Sequence, residues 1–254
     1  MENTQQAVGQ YSKPKLTPAI EMFESAVKAW RQHLRQFLLI YWEGLRLALI
    51  PFGVLLLLAA LNFIVFKEGN TPDNFKPLVA LLTIASTLAA LYFMIRAYMA
   101  IFLFIKHGHS GESKKLFQET NKLFWPYIGL SLLTAVLVLL WMLLLIIPGI
   151  IFSVFYSCAV YAFFFEDKRG MAAIKRSRQL VKGYFWQVFG RIMFLSLIAI
   201  IFMFIISLPV ASLPKESIGA MFWNIVTQII SFLVGPIALY FSYYIYKDLV
   251  KIKQ

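Results

Sequence analysis

Five long stretches of this chain carry no charged residue: 47–66, 77–95, 126–165, 192–214 and 217–246. An apolar helix needs about 20 residues to cross the hydrocarbon core of a bilayer. The third stretch is long enough to cross twice, so the chain reads as six crossings. Few folds accommodate such a pattern, because a bilayer interior offers no water to unpaired backbone groups and admits only helices and closed barrels. With 60% hydrophobic and 14% charged residues in 254, the chain is not a soluble globular domain. The predicted class is all-α and polytopic, with six transmembrane helices.

The charges between the crossings are unevenly shared. The N-terminal segment carries Lys13, Lys15, Lys28, Arg31 and Arg35, and the 106–125 gap carries Lys106, Lys114, Lys115 and Lys122. The 166–183 gap carries Lys168, Arg169, Lys175, Arg176, Arg178 and Lys182, and the C-terminus carries Lys247, Lys251 and Lys253. With six crossings, all four clusters fall on one side of the membrane, and only Lys67, Lys76 and Lys215 fall on the other. Basic residues stay cytoplasmic during insertion, so both termini are expected inside. The net charge of +12 could suggest nucleic acid. Here it sits beside membrane crossings, where anionic headgroups are the simpler partner, and no nucleic-acid binding is expected.

Between the crossings lie three segments of helical amphipathic pattern. In 18–36 the residues Ala19, Met22, Phe23, Ala26, Trp30 and Leu34 recur near the helical period, after a Thr17-Pro18 cap. Residues 112–123 and the basic stretch 171–183 form the others. The first 17 residues are polar and are expected to be a disordered tail, leaving 18–254 as one membrane domain. His107 to Gly111 breaks the chain after the second crossing, and Pro148-Gly149 is expected to turn it between crossings three and four. The last helix is expected to bend near Pro236.

The order of amphipathic helix, crossing, turn and crossing recurs three times, in units of about 18–111, 112–170 and 171–254. Lys28, Arg31, Gln32 and Arg35 align with Lys175, Arg178, Gln179 and Lys182. Tyr98, Tyr161 and Tyr246 share one frame in the second arms. A threefold helix–hairpin repeat is therefore expected.

The run Pro148-Gly149 through Phe163-Phe164-Phe165-Glu166-Asp167 to AIKRSRQLVKGYFW at 173–186 is the most motif-like part of the chain. It resembles a pattern in bacterial integral membrane proteins, the membrane domain attached to some glycerophosphoryl diester phosphodiesterases and its free-standing relatives. The resemblance spans about residues 18–250 and rests elsewhere on hydropathy and length. It implies an all-helical domain of the bacterial cytoplasmic (inner) membrane. Members with hydrolase activity carry a separate soluble catalytic domain, for which these 254 residues leave no room. That activity is not expected here.

Two groups of residues are candidate sites. Lys175, Arg176, Arg178 and Lys182, interleaved with Ile174, Leu180, Val181 and Phe185, suit a helix at headgroup depth. There each basic residue is worth about 1 kcal/mol against an anionic surface. The plainer reading is that they only fix topology. Glu43 and Arg46 are three residues apart and could pair on one helix face; Arg96 and Arg191 lie near the same predicted boundary. Charges at membrane depth are costly and often functional, but long side chains here can also snorkel to the interface.

Trp42, Trp125 and Trp186 suit an interfacial belt. His107 and His109 flank a glycine with no third ligand at metal-site spacing, and Cys158 is alone, so no metal, cofactor or disulfide is expected. No catalytic constellation is recognisable. The expected function is non-enzymatic binding of anionic membrane lipid, or of a protein partner or second copy, at the cytoplasmic face. The alternatives are a carrier for a lipid or small amphiphile, and a lipid-modifying enzyme built on Glu43, Arg46, Arg96 and Arg191.

Overall fold

A computed structural model describes residues 14–65, 76–211, 214 and 217–253. The described residues form eight helices and no strand: α1 (Ala19–Val65), α2 (Lys76–Lys106), α3 (Ser113–Leu144), α4 (Ile146–Tyr156), α5 (Ala159–Phe165), α6 (Gly170–Val181), α7 (Phe185–Ala211) and α8 (Ile218–Lys253). Six segments are long and apolar enough to cross a membrane, with α4 and α5 together making the fourth. Most of the predicted loops at 67–76 and 213–216, and residues 1–13 of the expected disordered tail, fall outside the described residues.

Two boundaries differ from expectation in the same way. The 18–36 segment and the first crossing are one helix of 47 residues, and 112–123 continues into the third crossing as one helix of 32. At 1.5 Å per residue α1 is about 70 Å long, more than twice the thickness of a hydrocarbon core of about 30 Å. Only part of it can lie in lipid.

The turn between crossings three and four is also displaced. Leu145 is extended (φ −162°, ψ 140°) and separates α3 from α4, while Pro148 and Gly149 lie inside the first turn of α4. Proline is tolerated there because the first-turn N–H groups have no intrahelical partner. Gly149 is needed for a different reason. A Cβ on it would sit 2.3 Å from the Met142 Cγ and 3.0 Å from the Met142 Cα, so only glycine lets the two arms meet this closely.

The hydrophobic core is concentrated at one end. On α1 the buried residues Met22, Ala26, Ala29, Phe37 and Ile40 follow the helical period. They meet Ala97 and Met99–Ile105 of α2, Ala159 and Tyr161–Phe164 of α5, and Leu239–Phe241, Ile245 and Leu249 of α8. α6 adds Ala173, Ile174, Ser177, Leu180 and Val181. Away from this end the helices are bare: the most apolar windows of α2, α3 and α7 are 6%, 6% and 0% buried. Water would not tolerate that much continuous exposed Leu, Ile and Phe. A lipid solvent covers it at no cost.

The packed end is also the basic end. Lys106 Nζ lies 3.1 Å from Asp167 Oδ1. The Tyr246 hydroxyl donates to Glu166 Oε1 at 3.0 Å, and Lys253 Nζ donates to the Lys182 carbonyl at 2.9 Å. The Thr17 N–H donates to Asp248 Oδ2 at 2.9 Å, and the His33 and His109 rings stack at 4.4 Å. Contacts of this kind join the N-terminal segment, the 106–112 turn, the 166–183 segment and the C-terminus.

Candidate functional site

α6 presents two faces to this end. Its buried face repeats at intervals of three and four residues, while Lys175, Arg178 and Lys182 are exposed. Gly183 ends the helix in the left-handed region at φ +91°, the conformation a helix C-terminus favours glycine for. Arg176, grouped by sequence with its basic neighbours, is different. Its Nε donates to both carboxylate oxygens of Glu166, at 3.0 and 2.7 Å. Glu166 also accepts from Tyr246, so Arg176 ties α6 to α8 through a half-buried ion pair. Arg178 lies 5.8 Å from the centre of the Phe152 ring, and Arg169 4.2 Å from that of Phe163. These basic heads rest on aromatic faces with no carboxylate in between.

Ser177, on the buried face of α6, fills a gap in the fourth crossing. α4 ends at Tyr156 and α5 begins at Ala159. The Ser177 hydroxyl donates to the Phe155 carbonyl at 2.7 Å and accepts from the Cys158 N–H at 3.0 Å. One side chain thus takes the place of bonds that the break removes from the helix ladder. A broken helix at membrane depth is tolerated only where its freed groups find such partners.

The four boundary residues do not converge on one cavity. Glu43 and Arg46 pair with each other at 2.9 Å, with the arginine half exposed. Arg96 is only 6% exposed. Its Nε donates to Thr120 Oγ1 at 2.9 Å and its Nη2 to the Phe117 carbonyl at 2.7 Å. Its guanidinium sits 4.2 Å over the Phe117 ring and 5.3 Å from that of Tyr92. It holds the start of α3 against α2. Arg191 donates to the carbonyls of Leu16, Thr17 and Gln187. It thereby docks residues that the sequence places in a disordered tail, and Leu16 is buried.

His109 is central to a ring stack. It lies in the α2–α3 turn at φ +66°, stacked on His33 and, at 5.6 Å, on Tyr240. The His109 Nε2 and the Tyr240 hydroxyl are buried with no hydrogen-bond partner among the described residues. Burial, then the neighbouring His33, lowers the His109 pKa below the ordinary histidine value; Lys247 adds a smaller push in the same direction. His107 Nε2 is instead 3.9 Å from Glu119 Oε1, near the surface. No group of three or more His, Cys, Asp or Glu capable of holding a metal occurs among the described residues.

Of the aligned tyrosines, Tyr161 and Tyr246 stack at 5.7 Å, and the Tyr161 hydroxyl donates to the Leu239 carbonyl at 2.9 Å. Trp42, Trp125 and Trp186 are 55%, 76% and 77% exposed, as residues facing a solvent rather than a core.

A cleft of about 510 Å³ opens between the start of α1 and the end of α8. Thr17, Ser25, Tyr244, Lys247, Asp248 and Lys251 supply its polar groups. Sequence reasoning missed it, because its two walls lie more than 200 residues apart. The chain matches no protein-family model, no curated protein and no solved structure.

Proposed function

We propose that this is a multi-pass protein of the bacterial cytoplasmic membrane that binds anionic lipid at its cytoplasmic face. The carrying observation is the meeting of all four basic segments at the packed end, with Lys175, Arg178 and Lys182 exposed there. In this reading the basic end faces the cytoplasm, and Trp42, Trp125 and Trp186 mark headgroup depth. The 18–36, 112–123 and 171–183 segments act as three amphipathic helices in a threefold repeat, each leading into a hairpin of two crossings. The recurring order of leading segment and paired crossings supports the repeat. The resemblance to phosphodiesterase-linked membrane domains enters here as the same proposal: a membrane domain acting without the hydrolase.

The lipid-modifying reading depended on Glu43, Arg46, Arg96 and Arg191 converging, and their partners are separate. Lipid binding needs only the exposed basic surface. Native mass spectrometry of the purified full chain tests it, with phosphatidylglycerol offered against phosphatidylcholine. Preferential retention of phosphatidylglycerol that weakens with salt is expected, since exposed charges are screened beyond about 8–10 Å near physiological ionic strength. Equal retention of the two lipids at low salt would sink the reading.

A further inference from the structure

We propose that the cleft between the start of α1 and the end of α8 binds a phosphodiester monoanion. The inference rests on the lipid-binding reading for its setting and moves the specific contact from α6 to a built concavity. Its volume, about 510 Å³, lies within the usual range for small-ligand sites.

Lys247 and Lys251 are one turn apart on α8 and share its cleft face. Neither ammonium group has an ion pair or hydrogen bond among the described residues, unlike Lys106, Lys115 and Lys253. Across from them α1 contributes the Ser25 hydroxyl, and the chain before it contributes Thr17. Asp248 also lines the cleft, but its Oδ2 is engaged by the Thr17 N–H at 2.9 Å. Two ammonium groups face one carboxylate, and that carboxylate also interacts with the Arg191 guanidinium behind Thr17, so the cleft keeps a positive excess that suits the negative charge of a phosphate diester. Met22 and Val250 complete the wall with apolar surface suited to the organic arms of a diester.

One side of the cleft lies near the level of an exposed tryptophan. Thr17 accepts from Arg191, five residues into α7 beyond the exposed Trp186. Five residues rise about 7.5 Å, so the α7 side of the cleft stands near the level where an interfacial tryptophan sits, while on α1 Ser25 precedes Trp42 by about 25 Å of helix; a lipid diester reaches the cleft from the α7 side. A soluble diester would meet the same groups from the water side.

The test uses the full chain and two probes, phosphatidylglycerol by native mass spectrometry and dimethyl phosphate by phosphorus NMR line broadening. The variants are Lys247→Gln/Lys251→Gln, Ser25→Phe, which fills the cleft without changing its charge, and Lys175→Gln/Arg178→Gln/Lys182→Gln on α6. Loss of phosphatidylglycerol retention on the order of tenfold in both cleft variants, with most of it kept in the α6 variant, is expected. Unchanged retention in the cleft variants with loss in the α6 variant overturns the cleft and leaves the lipid reading standing. If the wild type shows no preference for phosphatidylglycerol, the lipid reading fails. The cleft then survives only if dimethyl phosphate broadens with the wild type and not with the cleft variants. Broadening with neither overturns both.

Discussion

His109 carries a pH dependence outside the membrane crossings. Its ring is pressed between His33 of α1 and Tyr240 of α8, with Lys247 nearby, and burial holds its pKa below that of a free histidine. The folded state therefore binds this proton more weakly than the unfolded chain does. Its contribution to stability is complete above the unfolded value of about 6.5 and is lost as the pH falls from there towards the lowered folded value. Below both values the loss levels off. The apparent Tm of the purified protein should drop on acidification through this window. His109→Asn, which keeps a residue tolerant of the left-handed backbone, should flatten that drop. An undiminished acid-side fall in the variant would place the titration elsewhere. The nearby sequence showed His107 and His109 flanking a glycine, which raised metal binding as a question; the partner that matters, His33, is 76 positions away. A pattern search over neighbours could not pair them.

At the scale of elements, the join between α6 and the fourth crossing is the most exacting contact. Ser177→Ala keeps the shape of α6 but removes both bonds across the α4–α5 break. It leaves the Phe155 carbonyl and the Cys158 N–H without this partner, at a cost of about 1–3 kcal/mol. Thermal unfolding should show the lower stability, and hydrogen exchange should rise around 155–162 more than elsewhere. A uniform rise across all crossings would argue against a local staple. The elements themselves were largely legible. Six crossings follow from hydropathy, because lipid reports apolar length almost directly, and α2 starts one residue before the uncharged stretch 77–95 and runs on to Lys106, where His107 to Gly111 breaks the chain. What hydropathy could not give is where a helix breaks inside an apolar run. Ser157-Cys158 looks no different from its neighbours, and the break is held by a hydroxyl 19 residues further on. Pro148-Gly149 misled for a related reason: the pair reads as a turn, yet both residues are at home in the first turn of a helix. Grouping Arg176 with its basic neighbours was similarly natural, since a run of charges does not reveal that one of them faces Glu166.

For the whole molecule, the meeting of the four basic segments makes the orientation testable at two points. In a Cys158→Ser background, Lys175→Cys should react with a membrane-impermeant thiol reagent only when it is admitted to the cytoplasmic side, and Pro214→Cys only from the other side. Pro214 labelled from within would invert or break the six-crossing topology. The charge imbalance in the sequence predicts this sidedness, and the labelling tests it. The burial gradient was not legible, because a lipid-facing leucine and a core leucine are the same letter. That gradient has a mechanical consequence. At the packed end neighbouring lipids meet a close-packed surface, and along the far parts of α2, α3 and α7 they meet bare helix flanks. Within a hairpin, contacts persist: Trp223 Nε1 donates to the Ile206 carbonyl at 2.8 Å, and Trp141 stacks on Phe152 at 4.0 Å. Between the first and third hairpins the Tyr41 and Phe232 rings still meet at 3.9 Å, and beyond such contacts the bare flanks are left for acyl chains to cover. A change in the length or lateral pressure of the chains along those flanks is then taken up by chains sliding past the hairpins, while the same change beside the packed end must work against interlocked side chains.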